Sequence, residues 1–242
     1  TIHVDLNGPA RLEKILEKIL PQRIALEFHE NRIIDLAMEK TLQQEDLPTF
    51  SSPVQSELMK MGALFFSIYG FEYAITKKYV ENVPSCSLQF VDLPILKEKP
   101  REFITGLLQQ FSRQMQSTVA DPRQYLDFLR EVGKGEAHFQ AEWNKFVDEM
   151  YNQKDEVASI METLRKNGTS DLPSSVRETY QAVISTKRDK VMGQRIRELH
   201  CGHEGNTTAV MGLAHLYPIS QRLKDLNPVV KTLKEYEQNY KI

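Results

Sequence analysis

Arg23-Ile24-Ala25-Leu26-Glu27-Phe28 (RIALEF) is a short, mostly apolar run closed by a carboxylate and an aromatic ring. Three further runs are of the same kind: Thr1–Val4 (TIHV), Ser87–Asp92 (SLQFVD) and Thr207–Leu213 (TTAVMGL). Three of the four stand beside helical patterns rather than in hairpins, so crossover connections and a parallel sheet are expected. Nearly everything else reads as helix. Glu136–Lys166 places Trp143, Val147, Tyr151 and Leu164 at helical spacings and stops at Asn167-Gly168. Pro173-Ser174-Ser175 opens a second long helix carrying Tyr180, Ile184, Arg188, Val191 and Leu199. Shorter helices are expected at Gly8–Leu20, Ile33–Leu42, Gln55–Tyr69, Glu72–Val80, Arg101–Met115, Asp121–Val132 and Pro218–Leu226. The expected fold is one helix-rich α/β domain over 1–242. It has a small, mainly parallel sheet and a helical insertion or cap at about 95–200.

Composition narrows the function classes. The 242 residues carry 31 basic and 33 acidic side chains, and this balance gives no support for a general nucleic-acid or anionic-membrane binder. Two cysteines exclude a disulfide scaffold and a four-cysteine zinc site. The apolar stretch Met61–Phe71 is too short to span a bilayer. The sequence opens at Thr1 without a methionine, so a removed upstream segment, targeting or otherwise, is expected, with secretion or the periplasm as the compartments a targeting segment would serve.

Polar residues stand near the ends of all four apolar runs. His3 lies in the first, Glu27 follows Leu26, Asp92 closes the third, and His215 follows Gly212-Leu213-Ala214. Ligands of parallel sheets bind beyond the carboxyl ends of the strands. Any single one of these residues could instead cap a helix or meet an arginine, but four at four ends point to a site. Gly212 would let the chain turn sharply and let backbone approach a ligand. His215 would then precede the helix at Pro218. Arg188 and Arg195 fall on an apolar helical stripe, where an arginine needs anionic partners or must snorkel at the edge. His200-Cys201-Gly202-His203 is the densest soft-ligand cluster, but nothing completes its ligand set, and a polar loop accounts for it better.

In order, these segments resemble the Tiki/TraB/PrgY group, which belongs with erythromycin esterase and the haem-uptake protein ChaN in a proposed superfamily. Thr1-Ile2-His3-Val4 is similar to the first Gly-x-x-His motif, its glycine falling one residue before Thr1. Residues 24–32 (IALEFHENR), with Glu27 and Arg32, resemble the glutamate-bearing second strand. Gly70-Phe71-Glu72 resembles the Gly-x-Glu segment, Arg188–Ile196 the arginine helix, and Val210–His215 the second Gly-x-x-His motif. Two departures stand out: Lys187 replaces an acid common before the arginine, and Tyr217-Pro218 replaces a usual glycine.

The resemblance implies a metal-dependent hydrolase of amide or peptide bonds acting on a peptide or protein. Its water would be activated at His3, Glu27, Glu72 and His215, with manganese, cobalt, zinc or iron as the metal. Glu27, Arg188 and His215 are the expected catalytic residues, Arg188 stabilising developing negative charge. A metal-free variant, which the resemblance to erythromycin esterase allows, would use one histidine as general base with Glu27 orienting it. The alternative from another class is a non-catalytic protein that sequesters a peptide or a cofactor such as haem. It would use the apolar face of Phe139, Trp143, Phe146, Met150 and Tyr151, a face that core packing explains better. A helical interaction protein with relic site residues is the third reading.

Overall fold

Ile24 and Leu26 point to one side of an extended strand and Ala25 to the other, so a strand made of them is soluble only when both faces are covered. A computed structural model, which describes residues 1–3, 5–30, 70–94, 134–167 and 186–240, covers both. Strand β1 (Arg23–Leu26) is buried at all four positions and lies at the centre of a three-stranded sheet. It pairs in parallel with β2 (Ser87–Phe90), Ile24 opposite Leu88, and with β3 (Thr207–Val210), Ile24 opposite Thr208. Ile24 and Leu26 join a core with Leu12, Leu16, Phe71, Val147 and Tyr151. Ala25 faces a second core built from Met192, Ile196, Leu199, Ile219 and Leu223. Helices therefore cover both faces, and the helix-rich α/β architecture with a small parallel sheet is the observed one.

Among the described residues the helices are α1 (Gly8–Ile19), α2 (Phe71–Asn82), α3 (Glu136–Asn152), α4 (Lys154–Asn167), α5 (Thr186–Cys201), α6 (Leu213–Arg222) and α7 (Leu233–Tyr240), with a 3-10 turn at Lys224–Leu226. At the amino end of the sheet, Arg23 is buried because its guanidinium donates to the Glu204 and Gly205 carbonyls. At the carboxyl end, Glu27 follows β1, Asp92 follows β2 and Gly212 follows β3.

Several expectations need correction. Thr1–Val4 is not a strand among the described residues. Thr1 does pair across Gly212, its nitrogen donating to Met211 O at 2.5 Å and its carbonyl accepting from Leu213 N at 2.7 Å. The chain then bends at once, Asp5 N donating to Ile2 O at 2.9 Å, and His3 sits in the turn. The pattern over Glu136–Lys166 is two helices, broken at Gln153. Asp155 and Glu156 suit the amino end of a new helix, where the helix dipole is positive. Pro218 does not open its helix. It lies inside α6, whose start is set by the extended Gly212 and the bond from Leu213 N to Thr1 O. His215 is thus in the first turn of the helix rather than ahead of it.

Helix α7 was not anticipated, though Thr232-Leu233-Lys234-Glu235 spells a capping box. Thr232 N donates to Glu235 Oε2 at 2.7 Å and Glu235 N to Thr232 Oγ1 at 3.2 Å. The helices expected at Ile33–Leu42, Gln55–Tyr69, Arg101–Met115 and Asp121–Val132, the start at Pro173, and much of the 95–200 insertion lie outside the described residues. Among the described residues, no helix is long and apolar enough to cross a membrane.

Because Ile24 is fully buried in the central strand, Ile24→Ala removes three methyl or methylene groups where the sheet and helices cannot easily collapse. The expected cost is about 2–5 kcal/mol, read as a lowered urea midpoint at unchanged slope.

Candidate functional site

Arg188 enters the carboxyl end of the sheet from the first turn of α5. Its Nε donates to Asp92 Oδ1 at 2.6 Å and its Nη2 to Asp92 Oδ2 at 2.5 Å, a bidentate pair. The same Nη2 donates to Glu27 Oε1 at 2.6 Å. Nη1 lies 2.9 Å from His215 Nε2. All four side chains are buried. The second arginine of the stripe, Arg195, donates from Nη1 to the Asp92 carbonyl at 2.6 Å, so it too serves the strand end.

A guanidinium can only donate hydrogen bonds, so the contact with Arg188 requires a lone pair on His215 Nε2. The ring proton then sits on Nδ1, which faces Asp189 Oδ1 at 2.5 Å. His215 Nε2 is also 3.4 Å from Glu27 Oε1. Sequence reasoning missed Asp189. It could have been found, since Asp189, Met192, Ile196 and Leu199 follow spacings of a single buried stripe.

His3 forms the open side of the site. Its Nδ1 is 2.7 Å from Glu72 Oε1, which also accepts from the Thr1 hydroxyl at 2.7 Å. Glu72 is held in the first turn of α2, behind Gly70, whose φ of 74° suits glycine. The His3 side chain is 42% exposed, whereas Glu72 is buried. A cleft lined by Thr1, His3, Glu27, Phe28, Glu72 and Tyr73 lies at this point. Glu27 joins the two halves: Oε1 meets Arg188, while Oε2 accepts from Gly212 N at 2.5 Å. Gly212 admits this approach because it has no side chain. A Cβ there would lie 2.9 Å from His3 Nε2 and 3.3 Å from Glu27 Oε2.

The charges follow from these contacts. Burial works against the Glu27 carboxylate. Arg188, His3 and the Gly212 N–H outweigh it and hold its pKa below the usual 4.5. Burial likewise opposes ionisation of Glu72, but the neighbouring His3 and Thr1 lower its pKa. Burial disfavours the His3 cation, yet Glu72 and then Glu27 raise its pKa above the usual 6.5.

The expected set thus divides in two. Glu27, Asp92, Arg188 and His215 meet in one buried network, and His3 and Glu72 pair at the cleft beside it. As ligands for a metal, His3, Glu27, Glu72 and His215 do not converge, because Arg188 and Asp189 occupy both ring nitrogens of His215. Among the described residues, no three His, Cys, Asp or Glu side chains group to hold a metal ion, the His200–His203 segment included. Arg32 lies outside the described residues. In α3, Val147 and Tyr151 are core residues and Trp143 and Met150 pack against them, whereas Phe146 is half exposed. No family model, curated protein or solved structure matches the chain.

Two outcomes are expected. With a folded pKa below the unfolded one, Glu27 contributes stability that is present above pH 4.5 and lost as pH falls through the folded value. Urea unfolding of Glu27→Gln should lack that part of the acid dependence. Gly212→Ala should displace His3 or Glu27 at a cost of about 1–3 kcal/mol, visible as a lower melting temperature and a shifted His3 ring resonance.

Proposed function

We propose that the chain is a hydrolase of amide or peptide bonds in which His3 is the general base and Glu72 orients it. The observation that carries this reading is the His3–Glu72 pair. A buried carboxylate at 2.7 Å from Nδ1 fixes the ring proton there, and the partly exposed ring keeps Nε2 for chemistry at the cleft beside Glu27. In the reaction, His3 Nε2 takes a proton from water as the oxygen bonds to the carbonyl carbon. The C–N bond then breaks, and the same proton passes to the leaving nitrogen. Arg188, with its donors turned to Asp92, Glu27 and His215, acts by holding Glu27 ionised at the cleft wall. The ordered resemblance to the Tiki/TraB/PrgY group supports a peptide or protein as substrate. Since the four expected ligands do not converge, no step is assigned to a metal.

The test is an unbiased peptide-cleavage screen on the full chain, with and without thorough chelation. His3→Gln should lower cleavage by roughly 10²–10⁴-fold. The rate should rise with pH through a value above 6.5, because the base works only when deprotonated. Cleavage that survives chelation supports the reading. Cleavage lost to chelation and restored by zinc, manganese, cobalt or iron overturns it in favour of the metal-dependent mechanism.

A further inference from the structure

The turn that bears His3 is gripped by a second buried polar network, on the face of the sheet away from Arg188. Tyr151, one residue from the end of α3, is 2% exposed, and its hydroxyl accepts from Ile2 N at 3.1 Å. The same hydroxyl donates to Asp5 Oδ2 at 3.0 Å. Asp5 is fully buried and closes the turn twice, its backbone N–H reaching Ile2 O and its Oδ1 accepting from Asn7 N. Arg11 neutralises it, donating from Nη1 to Asp5 Oδ2 at 3.1 Å. Arg11 continues to Asp148 at 3.0 Å and Glu237 at 2.9 Å, which anchors the network to α3 and α7.

We propose that Tyr151 is a positioning residue for His3: its hydroxyl, bridging the Ile2 amide and Asp5, fixes the turn so that the imidazole presents Nδ1 to Glu72. Burial and the adjacent Asp5 raise the Tyr151 pKa, which keeps the phenol protonated and able to donate. A backbone hydrogen bond on the residue immediately before His3 constrains where that ring can point. Packing alone would not do so, since the Tyr151 ring contacts the core whether or not the hydroxyl is present. The inference deepens the reading of His3 as the base, but it concerns the ring's orientation and can be read without any substrate.

The experiment compares the full chain with Tyr151→Phe, which keeps the ring and deletes the hydroxyl. Long-range ¹H–¹⁵N spectra report the His3 tautomer, assigned with His3→Gln. In the wild type the neutral ring should be mainly the Nδ1–H form. In Tyr151→Phe the Nε2–H form should grow about three- to tenfold, and Ile2 amide exchange should accelerate about tenfold. An unchanged His3 tautomer in a folded Tyr151→Phe protein overturns the proposal. If that variant does not fold, the wild type still decides: slow exchange at Ile2 supports the proposal, and exchange as fast as in an unbonded amide overturns it. A tautomer shift alongside unimpaired cleavage by His3→Gln would remove the catalytic reading alone and leave the positioning role standing.

Discussion

The site depends on one buried guanidinium. Glu27 and Asp92 end adjacent parallel strands, and two carboxylates at the edge of an apolar sheet would repel each other and resist burial. Arg188 makes their burial tolerable by bonding both, with a fork geometry that lysine lacks. The same side chain reaches His215 from the third element of the sheet edge, so one residue of α5 ties together the exits of β1, β2 and β3. Replacing it would strand charge in the interior. Its main contribution is therefore to specify how the strand ends and α6 meet.

This constraint passes outward through Glu27 to the cleft. One carboxylate oxygen is committed to Arg188 and the other to the Gly212 amide, so the side chain has a fixed orientation beside His3. Gly212 links the two halves: it lies opposite Thr1, donates to Glu27 and leaves room for the edge of the His3 ring. A second network, through Tyr151, Asp5 and Arg11, secures His3 from the other side of the sheet. The deeper half is buried and hydrogen-bonded to itself, and the outer half offers a partly exposed imidazole on a buried carboxylate. That division separates the groups that build the site from the group that can meet a substrate.

Much of this was legible in the sequence because it rests on local patterns. A buried strand needs an apolar run, so RIALEF marked β1, and a carboxylate after such a run marked Glu27. Arg188 could be singled out because a guanidinium on a core-facing stripe must have acidic partners. What was not legible depends on distant contacts. The strand expected at Thr1–Val4 bends after one paired residue because the remote Tyr151 hydroxyl takes the Ile2 N–H and the Asp5 backbone N–H takes the Ile2 carbonyl. The helix expected at Pro218 begins five residues earlier because Thr1 supplies an acceptor for Leu213 N. Spacing also could not reveal that His215 spends both nitrogens inside the protein. Asp189 and the capping box at Thr232 did leave signals, a stripe position and a T-x-x-E pattern, which the broader helical periodicity obscured.

The measurement that bears most directly on the Arg188-centred arrangement is the tautomer of His215, read from its ¹⁵N shifts. Because Arg188 can only donate, the arrangement predicts a proton on Nδ1, toward Asp189, and a lone pair on Nε2. A His215 ring carrying its proton on Nε2 would contradict it, since Arg188 could not then bond there and the strand ends would have to be joined in another way.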